Sequence, residues 1–162
     1  ARKEGELLAK HLIGKLPIIY SSNKNFPVAY NWKIKFNETA KSPAFCNVFP
    51  ELNHNEMNGF SALGRSASGG DTPTPLSKHF SFIFLEDESD DLRILKRMKI
   101  TKQLLEDRKS EVRSLKLEGQ NKFHKIFQNL LIADWTAFYL AKRYGVDPNV
   151  VSMVEEFKKL LL

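Results

Sequence analysis

The chain has 162 residues, 42% hydrophobic and 27% charged, which is enough for one domain with a real core and ordinary for a soluble globular protein. Its single cysteine, Cys46, excludes a disulfide framework and a cysteine-based zinc site. The formal net charge of +6 raises nucleic acid as a partner, but the basic residues are dispersed among acids in "KRMKITK", "NKFHK", "AKRYG" and "EFKKLLL", with no Gly-aromatic RNA-binding signature and no zinc-finger spacing. The expectation is therefore no nucleic-acid partner, and a mildly basic surface that suits a small anionic substrate.

The opening "ARKEGELLAKHL" is an amphipathic charged pattern, not a signal peptide. Leu7, Leu8, His11 and Leu12 fall at helical spacing, so a helix is predicted over 2–14, closed by Gly14. "LPIIY" (16–20) reads as a short buried strand. Residues 27–41 carry two competing patterns: Tyr30, Trp32, Ile34 and Phe36 alternate like a strand, while Val28, Trp32, Phe36 and Ala40 repeat like a helix. The length and the "NETAK" ending favour the helix.

Residues 61–78 are rich in Gly, Ser, Thr and Pro and lack periodicity, which predicts a flexible loop. Their "GRSASGGDT" has the composition of a phosphate cradle, but no strand leads into it in the usual way. "HFSFIFLED" (79–87) predicts a strand, 90–109 a helix and 110–119 a strand or edge strand. A long apolar helix is expected over 121–146, ending at Gly145, and Pro148 is expected to open a last helix to Leu162. Strands separated by helices imply an α/β fold, a three-layer αβα sandwich with a mainly parallel sheet. Ligands gather at the C-terminal ends of such strands, which points to Tyr20-Ser21-Ser22 and Glu86-Asp87 as rim residues. No apolar run approaches the roughly 18 residues that span a bilayer, so no membrane partner and a cytoplasmic location are expected.

The segment "NVFPELNHNEMNGF" (47–60) concentrates Glu51, Asn53, His54, Asn55 and Glu56 between aromatics. A zinc site needs three or four ligands, and the other histidines, His11, His79 and His124, are scattered, so no metal is assigned. An imidazole beside carboxylates suits proton transfer near neutral pH. Glu38 of "NETAK" adds a further carboxylate at a helix end. By composition alone, a capped, hydrogen-bonded turn is the better account of the segment.

"LPIIYSS" followed by "VAYNWKIKFNETAKSPAFCNVFPELNHNEMNGF" resembles the C-terminal half of the bifunctional phosphoglucose/phosphomannose isomerase family, whose members have the sugar isomerase (SIS) fold. The similarity continues weakly through "FIFLED" to the closing "GVDP…V…FKK". The resemblance implies an aldose–ketose isomerase that interconverts glucose 6-phosphate or mannose 6-phosphate with fructose 6-phosphate through an enediol, with no cofactor. It implies Glu38 as the base, His54 as the residue that assists ring opening, and Lys158 or Lys159 as a third functional position, with Lys158 preferred. Ser21, Ser22, Asn53 and Lys159 are expected to bind substrate. The family's His reaches the partner subunit's pocket, so a homodimer with a shared active site is implied. Asn31, Lys35, Thr39 and Ser21 depart from the family pattern, which expects Arg, Gln, Asn and Gly there. Family members run to about twice this length, so a single SIS-like domain over 1–162 is expected, lacking the N-terminal SIS domain and its phosphate loop. Such a fragment need not be active alone, and a non-catalytic sugar-phosphate-binding SIS module is the alternative.

Overall fold

The computed structural model describes residues 1–61 and 78–161. All but the two end residues of the loop expected over 61–78 lie outside the described residues, as does Leu162.

Four strands form one sheet in the order β2-β1-β3-β4, with every neighbouring pair parallel. They are β1 (Leu16–Ser22), β2 (Phe45–Phe49), β3 (Phe80–Glu86) and β4 (Glu111–Lys116). Central β1 has six of its seven residues buried, because both of its faces are covered. Alternation then sorts the core into two layers. Ile19, Ile83 and Leu85 face α1 (Arg2–His11), α2 (Phe26–Glu38) and α5 (Lys122–Tyr144). Ile18, Tyr20, Phe82 and Phe84 face Met98 and Leu105 of α4 (Leu92–Glu106) and Leu52 in the chain after β2. The result is the expected three-layer α/β sandwich.

The helical period wins over 27–41. Val28, Trp32 and Phe36 are all buried against the sheet, and the indole N–H of Trp32 donates to Asn129 Oδ1 of α5 at 2.6 Å. A strand there would have put Tyr30 and Ile34 on the same face as Val28, Trp32 and Phe36, whereas Tyr30 is exposed. Helices α1 and α5 cross closely enough that a Cβ on Gly5 would lie 2.6 Å from Trp135 Cβ. Gly14 and Gly145 take positive φ of 71° and 67° after α1 and α5, as chain-reversing helix ends require.

Two elements differ from expectation. Phe45–Phe49 is a strand, hidden in the sequence because it lies at the sheet edge with only Phe49 fully buried and Asn47 interrupting its apolar run. The last helix, α6 (Ser152–Leu160), starts four residues beyond Pro148. The reason is local: Asp147 Oδ1 accepts the Asn149 N–H at 2.8 Å, an Asx turn that competes with helix initiation. A short helix, α3 (Glu56–Gly59), completes the set. No described helix is long and apolar enough to cross a membrane.

Candidate active site

Helix α2 leaves the C-terminal end of β1 and runs back to the start of β2. Its last residue, Glu38, therefore stands at the N-terminal edge of the sheet. His54 follows β2 and stands at the C-terminal edge. The strand between them, Phe45–Phe49, makes four steps, so at roughly 3.3 Å per residue its two ends lie about 13 Å apart.

Glu38 is exposed and lines a cavity of about 470 Å³ with Asn37, Ser42, Val150, Val151 and Met153. The helix end is fixed by Lys41, whose ammonium donates to the Glu38 backbone carbonyl at 2.7 Å. The Glu38 carboxylate enters no ion pair among the described residues. The chain entering α6 lines the same cavity as the end of α2. Lys158 lies further along α6, exposed and paired with Glu155 at 2.7 Å, and Lys159 beside it is exposed.

The turn after β2 is built almost wholly from its own polar groups. Tyr20 donates its hydroxyl to Glu56 Oε1 at 2.7 Å, and the Asn47 amide donates to Glu56 Oε2. Burial pushes the Tyr20 hydroxyl's pKa far up, and its bond to the Glu56 carboxylate adds to the effect. Asn53 Nδ2 donates to Thr101 Oγ1 at 2.9 Å, which ties the turn to α4. Asn55 donates to Glu51 at 3.1 Å and accepts the Glu56 N–H, which caps α3. His54 is exposed, its imidazole has no hydrogen-bond partner among the described residues, and it lines a cavity of about 370 Å³ with Met57, Asn58, Leu104 and Arg108.

Ser21 and Ser22 are buried at the C-terminal end of β1. Ser21 Oγ donates to the Ser22 carbonyl at 3.0 Å, and Ser22 Oγ accepts from Asn25 at 3.1 Å. Both hydroxyls are engaged inside the chain. The structure therefore gathers Glu38 with the approach to α6, sets His54 and Asn53 together at the other edge, and encloses Ser21 and Ser22.

The rim also carries a group that the sequence only partly marked. Asp87, buried at the end of β3, accepts from Lys125 at 2.9 Å, Lys24 at 3.2 Å, and the Ser89 N–H and hydroxyl at 3.0 and 2.8 Å. Burial alone would raise its pKa. The hydrogen bonds from Lys125, Ser89 and Lys24 outweigh that and hold the carboxyl far below the usual carboxylate range. Its position at a strand end was legible. Its partner Lys125, 38 residues on, carried no sequence signal.

Residues 1–161 match the family model of the bacterial phospho-glucose isomerase C-terminal SIS domain. The chain belongs to this family. It is 32% identical to the bifunctional phosphoglucose/phosphomannose isomerase of Aquifex aeolicus (strain VF5) over 99% of this chain and 47% of that protein. It is 34% identical to the protein of the same name from Caldicellulosiruptor bescii (strain ATCC BAA-1888), over 98% and 45%. The chain spans about half the length of the curated relatives it matches. The crystal structure of a glucose-6-phosphate isomerase like protein from Thermus thermophilus superposes with a TM-score of 0.66 at 22% identity, over 93% of this chain and 46% of that one, a likeness of fold.

Proposed function

We propose that this SIS domain is the C-terminal, base-bearing part of an isomerase that interconverts glucose or mannose 6-phosphate with fructose 6-phosphate. The observation that carries the reading is the placement of Glu38: an exposed carboxylate without an ion-pair partner among the described residues, at a fixed helix end, lining an open cavity, in a chain related to isomerases over nearly its whole length.

In this mechanism the Glu38 carboxylate takes the proton from C2 of the open-chain aldose. The C–H electron pair forms the C1–C2 double bond, and the carbonyl pair moves to oxygen, which is protonated to give the enediol. Glu38 returns the proton to C1 as the C2 hydroxyl becomes the ketone. Nothing is oxidised or reduced overall. His54 assists opening of the cyclic sugar, and Lys158 lies on the helix whose start lines the Glu38 cavity. Because Glu38 and His54 stand at opposite edges of the sheet, one copy's His54 serves the Glu38 of a second copy, and the working unit is a homodimer. The phosphate is held by the N-terminal half found in the longer relatives.

The test is Glu38→Gln in the two-domain protein. Gln keeps the size and the acceptor oxygen but takes no proton, so turnover should fall by roughly 10²–10⁴-fold with little change in KM. Turnover within a few-fold of the parent, with the fold intact, overturns the assignment and favours a non-catalytic sugar-phosphate module.

A further inference from the structure

Taking a proton from carbon leaves charge on oxygen. In the reaction proposed for Glu38 that charge collects on the C1 oxygen of the aldose, and the base does nothing to stabilise it. A hydrogen-bond donor already aimed at the oxygen does. Such a donor has to come from the polar side chains that share the cavity with Glu38.

Three of these are poorly suited. Lys41 is turned back onto the helix end, where its ammonium donates to the carbonyls of Glu38 at 2.7 Å and Thr39 at 3.3 Å. Ser42 is buried. Ser152 is exposed at the start of α6, and its hydroxyl forms no hydrogen bond among the described residues, so nothing fixes its direction.

Asn37 is different. It stands one residue before Glu38 in the last turn of α2. Its Oδ1 accepts the N–H of Ala44 at 3.0 Å. Only the oxygen of a side-chain amide can accept from a backbone N–H, so this bond also settles which way the amide lies. The segment that supplies the N–H is itself held: Ala44 is buried, and the Ser42 N–H donates to the Phe36 carbonyl at 3.0 Å. The Nδ2 group, on the other branch of the amide, makes no hydrogen bond to the described residues, and Asn37 lines the Glu38 cavity. The amide is thus fixed at its oxygen and open at its nitrogen. That is what preorganisation requires, since little side-chain freedom is left to lose when charge develops. Val151, Met153 and Val154 supply apolar lining to the same cavity, and low local polarity strengthens a hydrogen bond.

We propose that Asn37 is a further catalytic residue of this site, donating an Nδ2 hydrogen bond to the C1 oxygen while Glu38 takes the proton from C2. No proton passes through the amide. Its N–H bonds stay intact, and it holds the enediolate oxygen until that oxygen is protonated. The assignment rests on the isomerase reading of Glu38.

Asn37→Asp in the two-domain protein separates catalysis from bracing. The carboxylate still accepts the Ala44 N–H, so the helix end keeps its tie, and Tm should move by a few degrees at most despite a negative charge at the helix C-terminus. The variant has no donor to offer and sets like charge against the enediolate. Its kcat should fall by roughly 10²–10³-fold while KM changes little, because the lost contact exists only in the transition state. A side chain that merely braces the loop predicts the opposite, since aspartate braces it equally well. If Asn37→Asp fails to fold, Asn37→Ser replaces it. That variant keeps a short acceptor but withdraws the donor, and it should lose at least about tenfold in kcat with KM little changed. Glu38→Gln is assayed beside them. A Glu38→Gln protein that keeps its turnover overturns the isomerase reading and this assignment together. An inactive Glu38→Gln with Asn37→Asp folded and within about threefold of the parent in kcat overturns the role of Asn37 alone.

Discussion

Asp87→Asn tests whether the rim is held by charge. The carboxylate is 4% exposed and accepts from Lys24, Lys125, Ser89 and Asn25, the last at 3.4 Å. Asparagine keeps one acceptor oxygen for the Ser89 N–H. It sets an NH₂ group against Lys24 or Lys125, donor against donor, and removes the counter-charge of both. Breaking a buried pair costs roughly 3–5 kcal/mol. The lower end applies, because the lysine side chains are 48% and 25% exposed and can turn to water, and Asp90 remains 3.6 Å from Lys24. A loss of about 3 kcal/mol corresponds to a drop in Tm of roughly 6–12 °C for a chain of this size. The pH dependence has a definite sign. The folded pKa lies below the unfolded value of about 3.9, so this stabilisation is complete above that value and is lost as pH falls below it towards the folded pKa. Urea titrations of both proteins at a series of pH values should show the full difference at neutrality and a narrowing gap below about pH 4. A gap under about 1 kcal/mol at pH 7, or one unchanged down to about pH 2, refutes the reasoning.

Gly5→Ala should destabilise by about 1–3 kcal/mol in urea titration, because the new methyl meets Trp135 Cβ at 2.6 Å and the Thr136 N at 2.8 Å and forces α1 from α5. Asn129→Leu should cost roughly 1–3 kcal/mol by leaving the buried Trp32 indole N–H without its 2.6 Å acceptor, with a matching shift in tryptophan fluorescence. The 162-residue chain alone should show almost no isomerisation in a coupled assay, since transition-state binding draws on remote phosphate contacts, which the proposed reading assigns to the N-terminal half of the longer relatives. In the two-domain protein, inactive Glu38→Gln and His54→Asn variants should recover part of the activity when unfolded and refolded together. No recovery in verified mixed dimers sinks the shared site.

The nearly continuous apolar run of β3 and the buried 28/32/36 period of α2 were legible because burial on a regular element writes itself into sequence. Edge strand β2 was not, since an element covered mainly on one side needs few apolar residues. The start of α6 was misplaced for a different reason: Pro148 is compatible with both a helix start and a turn, and the Asp147 side chain decided between them. For the site, "NETAK" and "NHNE" marked Glu38 and His54 as residue types, but not that α2 and β2 carry them to opposite edges. The Asp87–Lys125 pair depends on a contact between elements 38 residues apart, which no local pattern encodes.

The polar turn after β2 shows how structural and chemical duties divide. Glu56 looks like a candidate base in the sequence, yet both of its oxygens are committed as acceptors, to Tyr20 and Asn47. Those bonds clamp the turn onto the sheet beside a buried hydroxyl that would otherwise lack an acceptor, a cost of roughly 1–3 kcal/mol. Glu51 and Asn55 hold each other, and Asn53 holds α4. Once those groups are engaged, the turn is rigid and His54 is the ring it presents to solvent. Glu38 is presented in the same way at the far edge, its backbone pinned by Lys41 and its carboxylate left exposed. A group free to exchange protons must be spared from holding the fold together. By that criterion Glu38 and His54 are available and Glu56 is not, which is why the proposed base lies outside the segment densest in acid and imidazole.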